Sequence, residues 1–233
     1  MADEPRSARK LFDAELDQLR LQVELVALRV DENLQEMRLV LATGDHEAAR
    51  RALAADDAID AAVVSLTERC HDVLIREAPV AADSRFVVAV LRVLLELERI
   101  GDLALRVVKL APQQPLLAAR PETFEVLLAM ADAAIDLFRR ALQAWSERNL
   151  ELAGSLAVGS GDMEAYDARL TAGVLAFGGP DAVAQAVATV RAGQAIERIA
   201  DHAVIIADRL RYLITADPRY LAREVAPNPG VWP

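Results

Sequence analysis

The chain has 233 residues, enough for one large domain or two of roughly 100 residues each. A formal charge of −10 with no dense run of Lys and Arg argues against nucleic-acid binding and makes cations the natural small partners. Hydrophobic residues reach 54% while aromatics are only 4%, the composition of Ala/Leu/Val helices, and a single cysteine excludes an internal disulfide framework.

The opening "MADEPRSARKLF" has no apolar stretch of the signal-peptide kind, and Arg92, Glu96 and Asp132 cut the most apolar segments well short of a membrane span. The expectation is a cytoplasmic chain without direct membrane insertion. Periodicity near 3.6 predicts helices over 7–42, 46–77, 82–110, 122–148, 150–177 and 181–215. Thr43-Gly44-Asp45 ends the first and caps the second, and Pro79 separates the second from the third. "APQQP" with Pro121 makes the longest connection, and Gly178-Gly179-Pro180 breaks the last pair.

Three helices lie on each side of the Pro-rich connection, which suggests a repeat. "ERIGDLALRVV" from Glu98 matches "ERIADHAVIIA" from Glu197 in register, at an offset of 99 residues. A looser match joins residues 44–63 to 149–170, where Gly159-Ser160-Gly161 adds residues to the second copy. The fold class expected is all-α, two tandem three-helix bundles related by internal duplication. The first bundle spans 1–111, the linker 112–120, the second bundle 121–217, and an irregular tail 218–233.

The third helix of each half carries stacked carboxylates. Glu98 and Asp102 are four apart, about 40° on a helical wheel, beside Leu91, Leu94, Leu95 and Leu105. Glu197 and Asp201 repeat the geometry beside Val190, Val204 and Ile205, with Asp208 on the same stripe. Asp56 and Asp60 form a further pair in the second helix, together with Val63, Thr67 and His71. Two such helices side by side would converge four carboxylates, which stay ionised together only if cations neutralise them. Oxygen donors suit Mg, Ca or Mn and, with an occasional His, Fe or Zn. The competing reading is a structural scaffold in which Arg99 and Arg198 pair with these acids.

Other candidates are weaker. Glu68 and His71 make only half of a di-iron motif, and His46, His71 and His202 are too dispersed for a carboxylate-bridged oxidoreductase. His202 is expected to point away from Asp201, and Asp132 and Asp136 to lie on a solvated face. Cys70 has no catalytic-thiol signature around it. No phosphate loop, nucleophile elbow or zincin motif is present.

The chain resembles the PhoU family, the accessory proteins of phosphate-specific transport, from about Arg9 to Asp217. The likeness rests on "RKLFDAELDQLR", "ADDAIDAAV", "PVAADSRFVVAVLRVLLELERIGDLA" and "IERIADHAVIIADRLRYLITAD", in that order. It implies paired three-helix bundles whose acidic motifs bind clusters of divalent or trivalent metal ions. It also implies a regulatory, non-enzymatic role, with a transporter ATPase subunit and a sensor histidine kinase as partners and the homodimer left open. Carried over, the motifs fall on Asp56 and Asp60, Glu98 and Asp102, Glu197 and Asp201, and on Asp167, whose upstream partner position is Met163 flanked by Asp162 and Glu164. The second-half site is thus expected to be altered. The acidic surface favours an indirect response to phosphate.

Overall fold

The computed structural model describes residues 4–159 and 161–224, with side-chain surroundings described for 9–156 and 162–221. Among the described residues the secondary structure is helical throughout, with no strand. Helix α1 is Glu4–Thr43, α2 His46–Glu77 and α3 Ala81–Val108. The connection holds a 3-10 turn, Ala111–Gln113, and a short α4, Gln114–Ala118. The second half contains α5 Pro121–Glu147, α6 Leu150–Gly159, α7 Gly161–Leu175 and α8 Ala182–Thr215, followed by a 3-10 segment, Pro218–Glu224. The helix predicted over 150–177 corresponds to α6 and α7. Ser160, within the Gly-Ser-Gly insertion, lies outside the described residues.

Local chemistry sets the boundaries. Gly44 turns the chain at φ +70°, and Asp45 caps α2 by accepting from the Glu47 and Ala48 amides at 2.7 and 3.2 Å. Those two hydrogen bonds hold the Asp45 carboxyl below its ordinary pKa. In the connection, Pro112 and Pro115 sit in first turns, where a missing N–H costs little. Segment 111–118 therefore forms short helical turns instead of an open linker. Leu117 is buried beneath it, and Gln114 Nε2 donates to the Ala42 carbonyl at 3.0 Å.

The buried stripe of α1 follows a three-to-four spacing from Phe12 and Leu16 through Val30, Leu34 and Met37 to Leu41, and it packs on α2 and α3. In the second half α5, α6, α7 and α8 enclose Leu127, Met130, Phe138 and Ile199. The two bundles also pack on each other, α3 against α8 and α1 against α5. That is why α3 is buried over a wide stripe, from Phe86 to Val108, that includes Glu96 and Gly101. No helix among the described residues is long and apolar enough to cross a membrane.

Polar pairs seal the shared layer. On the α1–α5 side Arg38 grips Asp132 through two hydrogen bonds of 2.6 and 3.0 Å, and Arg139 grips Asp31 at 2.7 and 2.9 Å. Asp132 is therefore an interhelical anchor as well as an exposed residue, a role its lack of a match in the first half could not reveal. Asp136 stays on the exposed face, 3.7 Å from Arg140. On the α3–α8 side the buried Glu96 carboxylate meets His202 Nδ1 at 2.6 Å. The two α1–α5 contacts run with opposed residue numbering, and on the other side Glu96 meets His202 while Arg106 lies across from Arg191 and Arg198, so both paired helices are antiparallel.

A double-mutant cycle tests the Glu96–His202 contact. Removing the carboxylate with Glu96→Ala leaves a desolvated imidazole and should cost about 1–3 kcal/mol in urea unfolding. His202→Ala should cost a similar amount, and the double variant clearly less than the sum. Simple additivity would show that the pair does not couple the bundles.

The tail differs from its irregular expectation over its described part. Buried Arg209 donates to the Tyr220 carbonyl at 3.1 Å, while Arg211 stacks over the Tyr220 ring and donates to its hydroxyl at 3.0 Å. These contacts fold 218–224 back onto α8. Residues 225–233 lie outside the described residues.

Candidate functional site

Helices α2 and α3 bring the first-half acids together. Asp56 is half-buried on α2, and Asp60, one turn along, is exposed. On α3, Asp102 is exposed and its charge acts on Asp56, while Glu98, one turn earlier, is half-buried. Buried Gly101 marks how close the two helices lie: a Cβ there would stand 3.5 Å from Asp56 Oδ1, in ordinary contact. Burial pushes the Asp56 carboxyl up to about 6, with Asp60, Asp102 and Asp57 adding repulsion and Lys109 opposing it. Asp56 of α2 thus feels Asp102 on the helix beside it.

The second half repeats the arrangement with a substitution. Asp167 on α7 and Glu197 on α8 are half-buried, and Asp201 is exposed. Burial raises the Glu197 pKa, followed by the charges of Asp167, Asp201 and Glu164. Met163, at the position where the repeat calls for a carboxylate, is buried with the apolar core. Glu164, one residue on, supplies negative charge to the cluster instead. Sequence reading placed Glu164 beside the gap without assigning it a role; only the helix phase of α7 shows that it acts on Glu197.

The carboxylates stand at the edge of the apolar face, with Asp60, Asp102 and Asp201 exposed. Two expectations about their surroundings need correction: Leu95 and Val190, expected on that face, are exposed at 55% and 38%, and Asp208 does not join the stripe. The wheel misplaces them because α3 and α8 bury two faces, against their own bundle and against each other, so no single stripe describes either helix. Asp208 is buried and pairs with Arg211 at 3.2 Å, away from the acidic cluster. Among the described residues, Arg99 and Arg198 are exposed and make no ion pair with Glu98, Asp102 or Glu197.

The other candidates resolve simply. His46 is exposed at the start of α2, Glu68 and His71 are both exposed, and His202 is engaged with Glu96. Buried Cys70 has its thiol pushed up to about 11 by burial, the wrong direction for a nucleophile.

The donor chemistry of both clusters is carboxylate oxygen, which fits hard divalent or trivalent cations. Among the described residues, no three His, Cys, Asp or Glu side chains stand close enough to share one ion. The carboxylates that would hold such a cation are Asp56, Asp60, Glu98 and Asp102 in the first half and Asp167, Glu197 and Asp201 in the second.

Comparison with known proteins bears on this arrangement. The accessory protein PhoU homolog of phosphate-specific transport from Pseudomonas putida is 25% identical over 205 residues, 87% of this chain and 80% of that protein. The homolog from Xylella fastidiosa is 27% identical over 223 residues, covering 94% and 93% of the two chains. The Escherichia coli K12 accessory protein PhoU aligns over 135 residues at 28% identity, 55% of this chain and 56% of that one. The crystal structure of PhoU from Pseudomonas aeruginosa superposes with a TM-score of 0.84 at 24% identity, over 88% of this chain and all (100%) of that one. The PhoU structure from Streptococcus pneumoniae gives 0.78, also at 24% identity, over 88% and 98%. Both structures share the fold. A PhoU domain model matches residues 11–111 and again 127–210, once in each half, and the chain belongs to the PhoU family.

Proposed function

We propose that this protein is a metal-binding, cytoplasmic regulator of phosphate homeostasis that restrains a phosphate-specific transporter and its sensor kinase when phosphate is sufficient. The regulatory half of this reading is supported by the relatives, which are named as accessory proteins of the phosphate-specific transport system. The partners of this chain in this reading are the transporter ATPase subunit and the sensor histidine kinase. The observation that carries the metal half is the placing of partly buried acids across α2/α3 and α7/α8, where burial first and neighbouring carboxylates second drive Asp56 to about 6 and Glu197 upward. Charges held in that arrangement at neutral pH favour Fe, Zn, Mg or Mn ions between them. A regulatory role is favoured over a metal oxidoreductase because the described histidines do not converge on either cluster.

The combined variant Glu98→Ala/Asp102→Ala/Glu197→Ala/Asp201→Ala tests the metal sites. Its expected behaviour is loss of bound metal by elemental analysis after dialysis against each ion, with an unchanged helical circular-dichroism spectrum. Wild-type stoichiometry in that variant would remove these residues from the site. Co-purification from phosphate-rich and phosphate-starved cells tests the partners, with the ATPase subunit and kinase recovered preferentially in the first condition.

A further inference from the structure

The surface acidity of the chain conceals a local reversal of charge. At one end of the α3–α8 contact, Arg106 and Lys109 from α3 face Arg191, Gln194 and Arg198 from α8 across a cleft of about 400 Å³. Its floor is Leu103 and Ala195, and no carboxylate lines it. The volume lies within the roughly 300–1,000 Å³ usual for small-molecule sites. All four cations are exposed at the cleft walls, and among the described residues none of them takes part in a hydrogen bond or ion pair.

The duplication shows that this is not a repeated surface feature. An offset of 99 residues relates Arg92 and Arg99 to Arg191 and Arg198, so both halves keep two arginines on this flank. The same offset turns Arg106 into Ile205, Lys109 into Asp208, Leu103 into His202 and Ala195 into Glu96. The equivalent end of the contact is therefore closed by the Glu96–His202 pair and carries acids. Only one end gathers four positive charges from both bundles. Crowding like charges is unfavourable unless a counter-charge sits among them, and low-dielectric walls concentrate the field in a cleft.

We propose that this cleft binds a small polyanion containing two or more linked phosphates, such as a short polyphosphate or the phosphate tail of a nucleotide. Arg191 and Arg198 are two helical turns apart, about 10 Å along α8. That span suits an extended chain of phosphates better than one tetrahedral anion. Each guanidinium can grip phosphate oxygens through two parallel hydrogen bonds, Lys109 contributes a point charge, and the Gln194 amide can donate a further bond. The site uses no metal and none of the acidic-cluster carboxylates lines it, although Lys109 also acts on Asp56 from its rim, so it goes beyond the function proposed above.

Isothermal titration of the full chain, stripped of metal by chelation, provides the test with tripolyphosphate, ATP, orthophosphate, sulfate and adenosine as titrants. Tripolyphosphate and ATP should bind with an affinity that falls as salt rises, at least tenfold more tightly than orthophosphate or sulfate, and adenosine should give no heat. Equal affinity for tripolyphosphate and ATP assigns recognition to the phosphate chain alone; tighter ATP binding assigns it to a nucleotide. Arg191→Gln/Arg198→Gln should weaken binding at least tenfold. Arg29→Gln/Arg76→Gln, the same charge change at exposed positions outside the cleft lining, should stay within twofold of wild type. Absence of binding at millimolar titrant, equal affinity for orthophosphate, or equal loss in both double variants would overturn the assignment. Because the protein is metal-free throughout, failure here leaves the metal sites untouched, and their failure would leave this cleft untouched.

Discussion

Phe138→Ala should lower the stability of the whole protein by about 3–5 kcal/mol and the midpoint of thermal unfolding by roughly 6–20 °C. Phe138 is fully buried in α5 at the centre of the second bundle, and truncation leaves a cavity lined by helices too long to collapse into it. The more informative expectation is the shape of the transition. Because α3 packs on α8 and α1 on α5, the loss should be felt in both halves, and helix melting should remain a single step followed equally by Trp145 fluorescence and by circular dichroism. Two separated transitions, with only the Trp145 half displaced, would mean that the shared layer does not join the bundles into one cooperative unit.

Asp56→Asn should stabilise the metal-free protein while weakening cation binding in the first half by roughly tenfold or more. The carboxyl is raised from an ordinary 3.8 to about 6 in the folded chain, so between those values the folded state holds a proton that the unfolded state has already released. Stability contributed by this group falls as pH climbs through that window, and above it the full cost of the charge remains. The Asp56→Asn variant has no such charge. Its advantage over wild type should be absent below pH ~4, grow toward pH 6 and level off above it at about 1 kcal/mol after allowing for solvent screening. Saturating metal should erase the advantage, because the ion neutralises the repulsion in wild type and stabilises the folded state by mass action. A variant as stable as wild type at every pH would mean that the Asp56 charge carries no cost from burial or its neighbours, and one that takes up metal as wild type does would remove Asp56 from the site.

Much of this protein is written in local sequence. A 3.6-residue period with Gly44-Asp45, Pro79, Pro121 and Gly178-Gly179-Pro180 at the breaks is enough to define the long helices, because caps and φ preferences act within a few residues. The in-register repeat of "ERIGDLA" and "ERIADHA" likewise defines the duplication and puts Glu98 and Asp102 on the same footing as Glu197 and Asp201. What sequence could not supply is the partner of each face. Glu96 and His202 are 106 residues apart and carry no shared motif, yet they close the α3–α8 layer. The role of Glu164 depends on the phase of α7 beside α8, and Arg106, Lys109, Arg191 and Arg198 form one basic cleft only because two antiparallel helices from different bundles meet there. Helix formation and capping are decided by neighbours along the chain. The electrostatic character of a site is decided by distances across it, and in a protein of net charge −10 those distances create a positive pocket that composition alone would deny.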